Sequence, residues 1–383
     1  MRLVQDMSWI TAASATAYGR WPGHDTLDLM AMAADRALAD AQLRRQDVDG
    51  LLCGYSTTLP HLMLATLFAE QYGLRPAYAH AVQVGGASGL AMLMLADLLV
   101  RSGTCRNVLV VAAENRLTGQ PRDAAIATLS QVGHPVYELP FGPTIPAYYG
   151  LVASRYMHRW RIGEEDLAEL AVLMRRHASQ HPDAQFRDPV TVQDVLASRP
   201  VASPLKLLDC CPISDGGAAF VVSRERTNAW GVRIRGCGQA HTHQHVSAAA
   251  DVTQTGAPIA YARASEAAGM DLRDVRLAGI YDSFTITLTM LLEELGFAER
   301  GQAGVRARSG AFDHDGEMPL NTHGGLLSYG HCGSGGALAH LAEIHAQMTG
   351  RAGQRQVRDA SVALLHGDGG VLSSHVTAFL EQV

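Results

Sequence analysis

Two glycine-rich turns, QVGGASG at 83–89 and GHCGSGG at 330–336, each run straight into a long apolar helix. A turn of this kind brings backbone N–H groups close to a reacting atom, and the helix N-terminus stabilises negative charge that develops there. Many α/β enzymes present a nucleophile in this way. Yet the first turn holds Gly85 and Gly86, no Cys, and Ser88 as its one hydroxyl. Ser88 lies two residues further on, inside the helix, and is poorly placed to attack. Tyr281 opens YDSF (281–284) at the end of the apolar run LAGI. Its phenol, with a reference pKa near 10, serves as a base for a hydroxyl if dipoles or cations favour the phenolate; otherwise it is a buried aromatic with its OH satisfied locally. His366 heads HGDGG (366–370), whose backbone N–H groups can form an anion hole together with that of Gly86. His241, His243 and His245 alternate, which on a strand places all three on one face. No carboxylate or Cys is close in sequence, so an exposed polar loop is expected there and no metal site is assigned.

The elements that must hold these residues repeat. Residues 33–53, AADRALADAQLRRQDVDGLLC, read as helix, polar turn and strand; 262–282, ARASEAAGMDLRDVRLAGIYD, read the same way. Each is followed by a glycine turn, an apolar helix and a further strand, with LVVAA (109–113) and VALLH (362–366) as buried strands and Ser88 and Ser334 in equivalent places. This predicts an α/β chain with a mostly parallel sheet, built from two duplicated βαβ-type halves packed as five layers, α-β-α-β-α, with the two glycine-turn helices as the central layer. The halves are expected at 1–225 and 226–383. A stretch at about 115–200, interrupted by Pro140, Pro143 and Pro146, is read as an insertion over the sheet ends, where loops make a pocket.

Of 383 residues, 47% are hydrophobic and 18% charged, with a net charge of −6, the balance of a compact globule with no general affinity for nucleic acid or anionic membrane. The six Cys show no CxxC pair and read as reduced thiols, Cys210 and Cys211 as buried ones near a pocket or dimer wall. The N-terminus lacks a signal-peptide pattern, and Leu90–Val100 is too short to span a bilayer, so a cytoplasmic protein is expected.

Four stretches in this order, GGASG (85–89), YDSF (281–284), NTHGGLLSYGHCGSGG (321–336) and HGDGG (366–370), resemble the thiolase superfamily over essentially the whole chain. More narrowly, they are similar to the lipid-transfer-protein branch of sterol carrier protein 2 thiolase. The resemblance implies the thiolase fold, a homodimer and an acyl-CoA substrate, with coenzyme A arriving on the substrate and no other cofactor. Family members carry a nucleophilic Cys where this chain has Gly86, so the acyl-enzyme route is in doubt. Tyr281 stands where they hold the thioester oxygen with Asn or His. His331 matches the His that polarises the thioester, or else is a structural His in a glycine turn; Cys332 replaces the usual Pro and is a weak candidate for a displaced nucleophile. His366 occupies the place of the second family Cys.

Gly for Cys together with Tyr-Asp resembles the steroid side-chain aldolases, which work with a separate DUF35 (OB-fold) partner. The resemblance thus implies retro-aldol cleavage of a β-hydroxyacyl-CoA of steroid or bile-acid side-chain type, giving a ketone plus propionyl-CoA or acetyl-CoA. Tyr281, His331 and His366 are the expected catalytic residues. Gly86, Ser88, Asp282, His323, Gly369 and Gly370 are expected on the substrate and oxyanion side, with Gly86 leaving room for a bulky β-carbon substituent. The competing readings are an acyltransferase working with a DUF35 partner and a non-catalytic acyl-CoA-binding subunit.

Overall fold

The structure, a computed structural model, describes residues 7–226 and 231–383. The first half runs β1 (Trp9–Ala15), α1 (Thr26–Ala41), β2 (Gly50–Gly54), α2 (Leu64–Tyr72), β3 (Tyr78–Val82), α3 (Ser88–Arg101) and β4 (Asn107–Asn115). The inserted stretch holds α4 (Arg122–Ser130), α5 (Ile145–Trp160), α6 (Glu164–Ala178), α7 (Val192–Ala197) and a short pair, β5 (Pro200–Ala202) with β6 (Leu205–Lys206), before β7 (Asp215–Ser223) closes the half. The second half runs β8 (Val232–His241), α8 (Ala257–Ala268), β9 (Leu277–Ile280), α9 (Thr285–Glu294), α10 (Ala303–Arg308), α11 (Gly336–Met348), β10 (Val362–Gly369) and β11 (Ser374–Gln382).

Local chemistry sets the boundaries. Asp25 caps α1, accepting from the Asp28 N–H at 2.9 Å while Asp28 accepts from the Asp25 N–H at 3.0 Å. The buried Leu27, Met30, Ala34, Leu38 and Ala41 then recur at helical spacing. Pro146 sits in the first turn of α5, where its missing N–H costs nothing.

Among the described residues, nine strands form one sheet in the order β3-β2-β4-β7-β1-β8-β11-β10-β9. The halves join where Trp9 and Ile10 pair with Arg233 and Val232. α3 and α11 touch each other and strands of both halves, α1 and α2 cover the first half from outside, and α8 covers the second. This is the five-layer arrangement expected. It explains why α3 is apolar nearly all round: Met92, Leu93 and Ala96 are fully buried.

The sheet is mixed rather than mostly parallel. β2–β3, β2–β4 and β9–β10 are parallel, and the other five neighbouring pairs run antiparallel. The parallel pairs lie within the repeated units, whose strands are linked through helices, whereas β4 and β7 run antiparallel although the long insertion joins them. β10 and β11 are joined by four residues, Gly370–Ser373, which permits only the antiparallel form.

Candidate active site

The first glycine turn is closed by its own hydroxyl. Ser88 Oγ donates to the Gly85 carbonyl at 2.7 Å and accepts from the Val84 N–H at 2.9 Å, and the side chain is buried. It is therefore a brace for the turn and has no hydrogen left for a substrate. The HGDGG loop crosses this turn in backbone contact. A Cβ on Gly369 would lie 2.1 Å from the Val84 carbonyl, and one on Gly85 would lie 2.7 Å from Gly370 N. Gly370 (φ +71°) and Gly85 (φ +56°) both take the left-handed conformation that glycine allows cheaply.

Tyr281 points at the same spot from the end of β9. Its Oη is 2.9 Å from His331 Nε2, with the rings perpendicular (88°) and 6.0 Å apart. A Cβ on Gly86 would lie 2.2 Å from that Oη. The room left by the missing side chain is thus filled by the Tyr281 phenol, and not kept open for a substrate's β-carbon substituent as expected.

His331 Nδ1 accepts from the Gly333 N–H at 3.0 Å. Nδ1 must then be bare, so in the neutral ring Nε2 carries the hydrogen and donates to Tyr281 Oη. Burial and the nearby Arg116 charge push the imidazole down to about 3, so it is neutral at physiological pH. Burial also raises the Tyr281 phenol well above its usual range, reinforced by Tyr149, Cys211 and Asp368. The resting pair is a neutral phenol and a neutral imidazole, not a phenolate.

Three expected site residues lie elsewhere. Asp282 is fully buried and accepts from the Leu326 and Leu327 N–H groups at 2.7 and 3.3 Å, with His340 Nε2 at 3.2 Å. It anchors the turn 325–329, which leads to His331, and takes no substrate. His366 lies on the face of β10 opposite Gly367, whose Cα side faces Ala87 and Leu90; its ring bonds Thr377 Oγ1 at 2.8 Å and His375 Nδ1 at 3.2 Å. Strand alternation puts it on the far side of the sheet from the glycine turn. His323 packs against the rings of Tyr329 and His340. It lines a surface depression of about 430 Å³ that includes neither Tyr281 nor His331.

The thiols are poor nucleophiles. Cys332 is buried and pushed up to about 12, and burial raises the part-exposed Cys211 as well. β8 ends at His241, so the three alternating histidines diverge: His241 bonds Ser374, His243 faces the Val371 carbonyl and His245 packs on His134. Among the described residues no three His, Cys, Asp or Glu side chains cluster as metal ligands, and no helix is long and apolar enough to cross a membrane.

Sequence reasoning missed two groups. Tyr149, from α5, stacks on Phe284 at 4.2 Å and reaches Asp368 Oδ2 at 3.3 Å, bringing the insertion down onto the site as a pocket wall. Arg116, one residue beyond β4, flanks Gly333: its Cδ would lie 3.2 Å from a Cβ there. A cation after an apolar strand was the only available signal, and it is a weak one.

Two family profiles match the chain: "Thiolase, N-terminal domain" over residues 8–226 and "Thiolase C-terminal domain-like" over 238–382. The chain belongs to the thiolase family. Among its relatives, an acetyl-CoA acetyltransferase of Methanothermobacter thermautotrophicus is 32% identical over 96% of this chain and 98% of its own length. A steroid side-chain-cleaving aldolase of Thermomonospora curvata is also 32% identical, over 85% and 87%. The solved structure of the "Ltp2-ChsH2(DUF35) aldolase" superposes with a TM-score of 0.85 at 29% identity, covering 99% of this chain and 98% of that one. This member of the thiolase family thus has relatives of both reaction classes, acyl transfer and carbon–carbon cleavage, at the same identity.

Proposed function

We infer that this thiolase-family chain is a carbon–carbon lyase, cleaving a β-hydroxyacyl-CoA of steroid or bile-acid side-chain type by a retro-aldol reaction without an acyl-enzyme. One observation carries the reading: the Tyr281 hydroxyl fills the volume a side chain at position 86 would need. Where an acyltransferase presents sulfur, this turn presents a phenol.

The chemistry fits a phenol that rests neutral. Tyr281 takes the β-hydroxyl proton as it passes its own proton to Cα; the Cα–Cβ pair moves through the thioester enolate, leaving a ketone and propionyl-CoA or acetyl-CoA. His331 Nε2–H steadies the phenol oxygen through the exchange. No resident cofactor is invoked, since coenzyme A comes with the substrate.

The aldolase relative and the aldolase superposition support the reaction class, and the latter supports a separate DUF35 partner. β3 ends the sheet with His80 and Ala81 exposed, an edge that a second copy would cover by strand pairing, supporting a homodimer. A cytoplasmic location is kept as part of the reading.

Incubation with 17-hydroxy steroid acyl-CoA and other β-hydroxyacyl-CoA esters, with and without a DUF35 protein, is expected to release a ketone detectable by mass spectrometry. Turnover of 3-ketoacyl-CoA plus coenzyme A instead, abolished by iodoacetamide, would replace the lyase with acyl transfer.

A further inference from the structure

We propose that Arg116 holds the negative charge that develops on the thioester oxygen during Cα–Cβ cleavage. The proposal rests on the lyase reading above and adds a charged side-chain electrophile, which that reading does not name.

The need for a further donor follows from hydrogen bonds already described. An enolate needs a donor at its oxygen, and His331 was the expected one. Its Nδ1 is occupied by the Gly333 N–H at 3.0 Å, and its Nε2–H is directed at Tyr281 Oη at 2.9 Å. Both ring nitrogens are committed, so a donor other than His331 must meet the oxygen, alone or beside the backbone N–H groups of the glycine loops.

Arg116 is placed to do so. Gly333 links the two residues: its N–H bonds the imidazole, and its Cα side abuts the Arg116 stem, with 3.2 Å between Cδ and a Cβ built at 333. Gly333 takes a φ of +71°, and a Cβ there would also strike Glu114 Oε1, so this glycine is what lets the guanidinium stem pass. Arg116 Nε is buried with no hydrogen-bond partner, and among the described residues the side chain makes no ion pair. Glu114, the nearest carboxylate in sequence, is instead tied to the Thr57 N–H at 2.7 Å and the Ser334 N–H at 3.2 Å. Arg116, His331, Tyr55 and Cys211 are all part-exposed, so a ligand can reach them. The phenol, imidazole and thiols around it are held neutral. A cationic donor beside a neutral phenol, imidazole and thiols, with its Nε–H unused and the adjacent Glu114 carboxyl already engaged by two backbone N–H groups, is suited to charge that appears only in the transition state.

In balanced form, the β-hydroxyl proton goes to Tyr281 oxygen and Cβ becomes the ketone carbon. The Cα–Cβ electron pair passes over the thioester as enolate charge, its oxygen held by Arg116, while Tyr281 gives its own proton to Cα as it receives the β-hydroxyl proton and so is neutral before and after.

The reverse half of this chemistry tests the residue without any steroid. Wild type, Arg116→Gln and Arg116→Lys are incubated with propionyl-CoA in D2O, and deuterium entry at Cα is followed by NMR beside the Kd for propionyl-CoA. At saturation, Arg116→Gln is expected to exchange about 10²–10³-fold more slowly with Kd little changed, and Arg116→Lys to fall between. Exchange at the wild-type rate with a weakened Kd would make Arg116 an anchor for coenzyme A phosphates and overturn the proposal while leaving the lyase intact. A wild-type protein that binds propionyl-CoA but exchanges nothing, with or without a DUF35 protein, would remove the lyase reading and this proposal together. Lys alone decides the matter should Gln fail to fold.

Discussion

Gly86 and Tyr281 compete for one volume: a Cβ built at position 86 would lie 2.2 Å from the Tyr281 Oη, 2.4 Å from its Cζ and 2.5 Å from the Asp368 carbonyl oxygen. The absent thiol and the present phenol are therefore one exchange, not two. Restoring the side chain must move the ring, because the backbone on the other side cannot yield.

Gly86→Cys is thus expected to expel the phenol from its contact with His331, costing roughly 1–3 kcal/mol in stability and most of the lyase turnover. Ketone release and the urea midpoint measure both. Full turnover in the variant would mean that Tyr281 is not the working group.

Tyr281→Phe removes one oxygen and leaves the ring packed. A drop in kcat of about 10²–10⁴ is expected with little change in KM or in the melting temperature. A subunit that only bound acyl-CoA or scaffolded a partner would lose nothing by this change.

Asp282 braces the chain that carries His331. Asp282→Ala strands two buried N–H groups and is expected to cost about 1–3 kcal/mol. Asp282→Asn keeps one acceptor for the Leu326 N–H and should cost less. Denaturant unfolding of the two variants gives the order; equal stability would assign Asp282 to the substrate instead.

Buried histidines set the acid limit. Burial pushes His177 and His345 down to about 3 and His181 to about 4. Their folded values lie below the unfolded one, so the unfolded chain binds more protons. The stability they contribute is whole above about pH 6.5 and is lost as pH falls from there towards the folded values. Buried carboxyls such as Asp368, which burial raises, act in the opposite sense, so the comparison is with His177→Gln. Between pH 6.5 and 5.5 the wild type should lose on the order of 1 kcal/mol more than the variant. Parallel pH profiles would contradict the burial of His177.

The sequence carried the layered plan because duplication and burial leave periodic traces: α3 is apolar all round, and the strands at 109–113 and 362–366 are continuous runs. It also carried Tyr281 and His331, which sit where a strand end and a glycine turn must converge. What it could not carry was direction. His366 and Gly367 are neighbours whose sides of the sheet are opposite, and Ser88 turns back onto its own loop rather than outward. Asp282 follows a catalytic candidate by one residue and so faces away from it. Arg116 belongs to no repeat, and its relevance arises only because Gly333, more than two hundred positions later, lets it pass.

The crossing of the two glycine loops has a consequence for the ancestry of the site. Val84–Gly86 comes from the first copy of the duplicated unit, and Gly369–Gly370, together with the phenol and the imidazole, comes from the second. Neither unit alone holds all of these groups. The cluster exists only while the two copies stay clasped, and parting them would carry the phenol and the imidazole away from the Gly86 turn.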